Sequence, residues 1–485
     1  ERRRSELLLA KAEAETKAGE KPVANETLLE AVTSARTAGA GEVIARAALL
    51  YAGNTEWSTA IFEEEEHPQI VFLEEALNVV PQGEDVLRVM VLARLALALY
   101  WTNSPRLRER SERISGEALE VARRTEDPAA LAAALEARYY ALWRSGNVED
   151  RIVDGHEALR LARESGDKEQ EMRLRRLLIF DQLQLGDMAA AEREMQAHAS
   201  LAEEVRQPTY GAWTTMFEAT RALMQGRFEE GTRSAQRGFE IRQAEGMQMA
   251  GPWLGAQMTP VWRVDGSLSE VAPFQREQAE RFRIPAARAF VAVCLCDLGH
   301  VEDARVVFEE LAVDDFRGIP QDPAWLQSLT IISEVCAALG DRSRAKTLYD
   351  LLLPYATRNV VMGPPALCYL GPAARHLGQL ARTLGNTREA IAHFEAALQM
   401  TTAMGARPFT VLTQCDYASA LLTVGQRDRA MALLDEALAT AEELGMKAIV
   451  ERIHSLNKRA SQPVLFKMGG TPFIGRQAEL ERLGR

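Results

Sequence analysis

Lysine is scarce in this 485-residue chain: eight residues carry it, and most of the positive charge is arginine. Acids outnumber bases, 69 to 57, for a formal net charge of −12. Nucleic-acid binding draws on a basic face, so this balance argues against direct contact with nucleic acid. There is no run of about 18 apolar residues, so no segment reads as a membrane-spanning helix. The opening "ERRRSELLLAKAEAETKAGE" lacks a long apolar core and a small-residue cleavage site, and reads as an amphipathic helix rather than a secretory signal. Five cysteines (Cys294, Cys296, Cys336, Cys368, Cys415) lie in apolar helical contexts, which suits free thiols in a reducing cytoplasm.

Motifs for chemistry are also missing. No Gly-Lys pair occurs, so the phosphate-binding G-x-x-x-x-G-K-[ST] loop is absent from this chain. "HEALR" (156–160) starts like a zinc-protease H-E-x-x-H, but Arg160 stands where the second ligand is needed. The pair Cys294 and Cys296 is two residues apart, and on a helix such residues point to different faces. "EEEEH" (63–67) reads as a solvated acidic loop. No serine or cysteine sits in a nucleophile elbow. The chain therefore reads as a non-enzyme, with no cofactor and no metal.

What is present is a repeat. Gly146, Gly186, Gly226 and Gly266 stand 40 residues apart, and Gly299, Gly340, Gly385 and Gly425 continue the series at a similar period. Five residues after most of them comes a small residue: Ala191, Gly231, Ala304, Ala345, Ala390, Ala430. A second series (Gly39, Gly166, Gly246, Gly405, Gly445) falls 20 residues after glycines 19, 146, 226, 385 and 425. The first series marks turns between two helices, where a left-handed backbone is cheap without a side chain, and the second marks the end of the second helix. Between the glycines the apolar spacing is helical, as in "REAIAHFEAALQM". The expected fold is all-α: about eleven antiparallel helix pairs and a final helix near 447–459, stacked into a right-handed superhelical solenoid with a concave inner face. Residues 1–127 read as irregular repeats, 128–446 as regular ones, 447–460 as a capping helix and 461–485 as a linker with a further motif. Loops between pairs are expected at 54–69, 206–211, 314–323 and 358–365.

These units resemble tetratricopeptide repeats, most closely in "LGNTREAIAHFEAAL" (384–398) and "VGQRDRAMALLDEAL". The period of about 40 departs from the family's usual 34, and glycine mostly replaces its closing proline. Longer stretches, "LLPYATRNVVMGPPALCYLGPAARHLGQLARTLGNTREAIAHFEAAL" and "GARPFTVLTQCDYASALL", with "LARLALALYW" and "LEARYYALW", resemble the repeat region of large bacterial multidomain regulators of the STAND-like signalling NTPase type. In the tail, Phe473, Gly475, Arg476, Glu479 and Leu480 resemble the "F-x-G-R-x-x-E-L" entry into such an NTPase module; a C-terminal capping helix is the alternative.

The resemblance implies that the first helix of each pair lines the groove. Counting back from the turn glycines then gives candidate binding residues: Tyr140 and Trp143 (with Glu136 and Arg144), Arg173 and Arg176 (with Phe180), Trp213 (with Met216), Trp253 and Arg263, and Arg375 and Gln379 (with Arg382). Aromatic and arginine side chains are the types that anchor interfaces, although aromatics at helical spacing are more often core. The family implies a cytoplasmic sensor or protein-interaction region whose partner is a protein, a peptide, the NTPase domain of the same polypeptide or a small-molecule effector. A stand-alone peptide-binding scaffold or co-chaperone, and a small-molecule receptor enclosed by the superhelix, are the alternatives.

Overall fold

The computed structural model describes residues 1–54, 67–100, 104–143, 146–247, 249–282, 285–363 and 367–461. The tail motif, and most of the expected loop at 54–69, lie outside them. The described residues form 23 α-helices. The first six are α1 (Arg2–Lys17), α2 (Lys21–Ala38), α3 (Gly41–Asn54), α4 (Pro68–Val79), α5 (Asp85–Tyr100) and α6 (Pro105–Thr125). The middle run is α7 (Pro128–Ala141), α8 (Val148–Ser165), α9 (Lys168–Leu185), α10 (Met188–Val205), α11 (Pro208–Gln225), α12 (Phe228–Ala244), α13 (Ala250–Asp265) and α14 (Leu268–Phe282). The last are α15 (Pro285–Asp297), α16 (Val301–Leu311), α17 (Trp325–Leu339), α18 (Arg342–Leu352), α19 (Ala373–Leu384), α20 (Thr387–Ala403), α21 (Arg407–Thr423), α22 (Arg427–Glu443) and α23 (Lys447–Ser461). This is an all-α helical-repeat solenoid of eleven pairs and a final helix.

Local chemistry sets the helix limits. Asp127, Asp167, Asp187 and Asp341 cap helix starts by accepting hydrogen bonds from backbone amides two or three residues on. Glycines in the left-handed conformation close α9, α11, α13, α17 and α19. The small residues that open each second helix are closed off from solvent: Ala191, Ala304, Ala345, Ala390 and Ala430 are all fully buried. Gly378 packs so closely against the Phe394 ring that an added Cβ would lie 2.6 Å from it.

The coil closes on itself. Lys21 bonds Thr209, 188 residues on. Arg108 pairs with Asp322, and Arg358 pairs with Glu149 across 209 residues. Leu444 covers Gly226, and Lys447 lies beside Gly266. Helices α21 and α23 pack on α11 and α13 respectively. Contacts recurring about 200 residues apart, at a repeat of about 40, mean that one superhelical turn takes roughly five pairs and that successive turns touch.

Gly226 tests that contact. Its φ is +86°, and a Cβ there would sit 2.8 Å from the Leu444 methyls, whereas Gly425 (φ +75°) faces open space. Both alanine variants meet the left-handed penalty of about 1 kcal/mol. Gly226→Ala is expected to cost roughly 0.5–1 kcal/mol more than Gly425→Ala in chemical denaturation, because only it also disturbs the next superhelical turn.

The segment around 358–365, expected as a plain loop, instead forms a two-stranded antiparallel hairpin of β1 (Asn359–Val361) and β2 (Tyr369–Pro372). Every residue of both strands is buried. The hairpin lies inside the coil, with β1 against α9 and α17. Likewise the expected loop at 206–211 shortens, because Pro208 already begins α11.

Candidate functional site

The inner face is built from the first helix of each pair, and its polar side chains gather in two clusters. The first lies across α5, α7, α9 and α11 and reaches α12 and α13. Arg173 pairs with the buried Glu136 through two of its nitrogens, Nε at 3.0 Å, and Gln170 also reaches Glu136. Arg176 stacks on Trp213, its guanidinium carbon 4.4 Å from the ring centroid, and Arg242 approaches the same ring at 4.0 Å. Trp253 lies 5.3 Å from Trp213. Tyr140 is buried beside Tyr100, and Tyr210 reaches Glu169. Burial holds the Tyr140 and Tyr210 hydroxyls well above the usual phenol range.

The second cluster lies across α13, α17, α19, α21 and α23. Arg263 pairs with Asp297 and with Glu334, and Arg375 pairs with Glu334 and with Asp416 at 2.8 Å. Gln379 donates to Asp416 at 2.8 Å, and Arg452 pairs with the other oxygen of the same carboxylate. Burial alone would raise the Asp416 carboxyl, but Arg375 and Arg452 outweigh it and hold it down to about 2. Arg263 and Arg375 likewise hold Glu334 below the usual carboxylate range despite its burial.

Beside this network is a cavity of about 80 Å³ whose wall includes Gln257, Phe290, Thr330, Tyr369, His376 and Phe409. The hairpin forms part of it. Thr220 and Gln257 both donate to the Leu367 carbonyl at 2.7 Å, Gln327 accepts from the Gly363 amide, and Tyr369 meets Phe409 edge-on. Neither ring nitrogen of buried His376 has a hydrogen-bond partner among the described residues.

Burial, with Arg375 next, depresses His376 to about 4; Glu334 and Asp416 pull the other way and Arg263 adds to the depression. An unfolded histidine titrates near 6.5, so below that pH the unfolded chain takes up a proton that the folded chain refuses. Stability therefore falls as pH drops from about 6.5 towards 4, by about 3 kcal/mol from this group. Urea denaturation at pH 7.5 and 5.0 should show the loss, and His376→Gln should reduce it.

The candidate residues thus divide. Tyr140, Arg173, Arg176, Trp213 and Trp253 come together in the first cluster, and Arg263, Arg375 and Gln379 in the second. Trp143 touches the first cluster only through Tyr140, 5.9 Å between ring centroids: it is 1% exposed, packed on Phe180 and Tyr139 under the buried Arg151–Asp181 pair. The inner-face residues Thr220 and Glu334 were not singled out, although both stand six residues before their turn glycines, as Tyr140 and Gln379 do. Arg94 and Arg452 have no following turn glycine from which to count. Among the described residues no group of His, Cys, Asp or Glu could hold a metal ion. All five thiols are pushed up by burial, Cys296 to about 11 and Cys336 to about 12 among them, which disfavours the nucleophilic thiolate form. No described helix is long and apolar enough to cross a membrane.

A chain of stacked helix pairs with an inner polar face belongs to the helical-repeat class. Residues 369–443, which hold β2 and α19–α22, match the family model for the tetratricopeptide repeat. No curated protein matches. Among solved structures the chain is similar to the crystal structure of the APC/C hetero-tetramer Cut9–Hcn1 (14% identity, TM-score 0.43, 95% of this chain and 96% of that one). It is also similar to yeast Tom70 (13% identity, TM-score 0.33, 95% and 98%).

Proposed function

We propose that this chain is a protein-interaction scaffold whose inner face receives an extended segment of a partner. In this reading it serves as the sensor arm of a cytoplasmic signalling regulator, its occupancy controlling an NTPase or output domain of the same polypeptide. One observation carries the scaffold part. The inner face already holds a non-helical segment by its backbone, the connection between β1 and β2, with Thr220 and Gln257 on the Leu367 carbonyl and Gln327 on the Gly363 amide. Helix side chains that bind main-chain groups can accept many sequences, which suits peptide recognition. The tetratricopeptide match at 369–443 supports the same reading. The regulatory part rests on the tail motif around Phe473 and Gly475.

Hydrolysis by the NTPase region of the parent polypeptide, measured with and without this array, tests it. The array should lower the rate, and Arg173→Ala with Arg176→Ala should relieve that effect without changing folded helicity. Equal rates in all three would reject the regulatory role. The cavity beside His376 favours a second reading, a small-molecule effector enclosed by the coil; one compound that strongly raises the melting temperature in a metabolite screen would support it.

A further inference from the structure

The two inner-face clusters differ in charge. In the C-terminal cluster each of Arg263, Arg375 and Arg452 meets at least one carboxylate, and Asp297, Glu334 and Asp416 match them in number. That network is complete without a ligand. The N-terminal cluster is not. Glu136 is taken by Arg173, and no hydrogen bond or ion pair from a described residue reaches Arg176. Yet Arg176 is 8% exposed, and its Nε is wholly buried without an acceptor.

Its surroundings add positive charge rather than remove it. Arg242 shares the Trp213 ring with it. The charged groups acting most strongly on the neighbouring Tyr140 hydroxyl are Arg176, Glu136, Arg173 and Arg94, while the further carboxylate Glu169 is engaged by the Tyr210 hydroxyl. Burial depresses the Arg176 guanidinium, with Arg242 and Arg173 adding to the depression against Tyr140 and Tyr210. A desolvated cation without a counter-charge is costly to the fold, and such groups concentrate where a ligand supplies the missing charge. Trp213 orients the planar guanidinium, whose fork suits a carboxylate or a phosphate. Arg173, a quarter exposed, marks the side open to solvent.

We propose that Arg176, flanked by Arg173 and Trp213, is an anion-binding site that takes a carboxylate or phosphate group from an acidic or phosphorylated segment lying on the inner face. This deepens the scaffold reading and rests on it for the identity of the occupant. The C-terminal half of the face, closed by the hairpin and neutral in charge, is then a structural keystone, and recognition lies in the N-terminal half.

The test is thermal melting of the full chain titrated with inorganic phosphate and, separately, with succinate, at constant ionic strength set with sodium chloride. The wild-type melting temperature should rise with the logarithm of anion concentration for at least one of them. A response to phosphate alone identifies a phosphorylated segment, and a response to succinate identifies acidic side chains. Arg176→Met should abolish the response while melting no lower than wild type without anion, since it removes an uncompensated cation and keeps the apolar contact with Trp213. Arg176→Lys, which keeps the charge, should retain part of the response if the methionine variant fails to fold. Arg160→Gln, on the outer surface in an ion pair with Glu164, should retain all of it. A wild type indifferent to both anions, or an Arg176→Met response equal to wild type, overturns the site. Either result leaves the scaffold reading standing, because that reading rests on the main-chain bonds made by Thr220, Gln257 and Gln327 and not on Arg176.

Discussion

Asp416→Ala is expected to destabilise the chain by about 3–5 kcal/mol, read from the urea midpoint. Asp416 is 1% exposed and accepts hydrogen bonds from Arg375, Gln379 and Arg452, which come from α19 and α23. Removing it leaves Arg375, itself 3% exposed, with Glu334 as its one carboxylate partner, and Glu334 is already shared with Arg263. Breaking one side of a buried pair costs far more than replacing the pair. The double change Asp416→Leu with Arg375→Met should therefore recover much of the loss, and the cycle of single and double variants gives the coupling. The pH dependence has a definite sign. Asp416 titrates at about 2 in the folded chain, below an unfolded aspartate near 3.9. Its contribution is complete above pH 4 and fades as pH falls towards 2, so the variant should lose less stability than wild type over that window.

The second large effect lies in the hairpin. Val360→Asp should cost about 4 kcal/mol or more, because Val360 is fully buried between helices and a carboxylate there would be desolvated. Val153→Asp, at a position 68% exposed on α8, should stay within about 0.5 kcal/mol. The contrast separates a hairpin that holds the coil together from one that merely rests on it. If the hairpin is the keystone, Val360→Asp should also raise the radius of gyration in small-angle scattering, since strand β1 links α9 to α17.

The repeat was legible because its signals are local. A left-handed turn needs glycine, and a close helix pair needs alanine or glycine at its crossing, so Gly186, Gly226, Gly385 and Ala390 declare themselves in one dimension. The final helix, expected near 447–459, is α23. The hairpin was not legible. "RNVVMGPPALCYLGP" carries proline and glycine and lacks the alternation of a half-exposed strand, because both faces of its strands are buried in the coil. Closure of the coil is a contact at separations near 200 residues, such as Arg358 with Glu149, and no local pattern encodes it. For the candidate site, counting back from turn glycines found Arg176 and Arg375 on the inner face, but it could not say which of them is already satisfied. That depends on Asp416 and Glu334, carried by other repeats. Trp143 shows the limit of the count, since it sits just past the end of α7 and packs beneath Arg151.

The central claim is that the chain's own hairpin, docked on α9, α11, α13 and α17, fills the inner face beside the C-terminal cluster, leaving the arginine–tryptophan cluster as the recognition surface. Amide hydrogen exchange on the full chain tests it most directly. With the hairpin docked, the amides of Val361, Met362, Leu367 and Tyr369 should exchange as slowly as those at the centres of α11 and α17. Exchange of those amides at the rate of a free loop, while α11 and α17 stay protected, would contradict it.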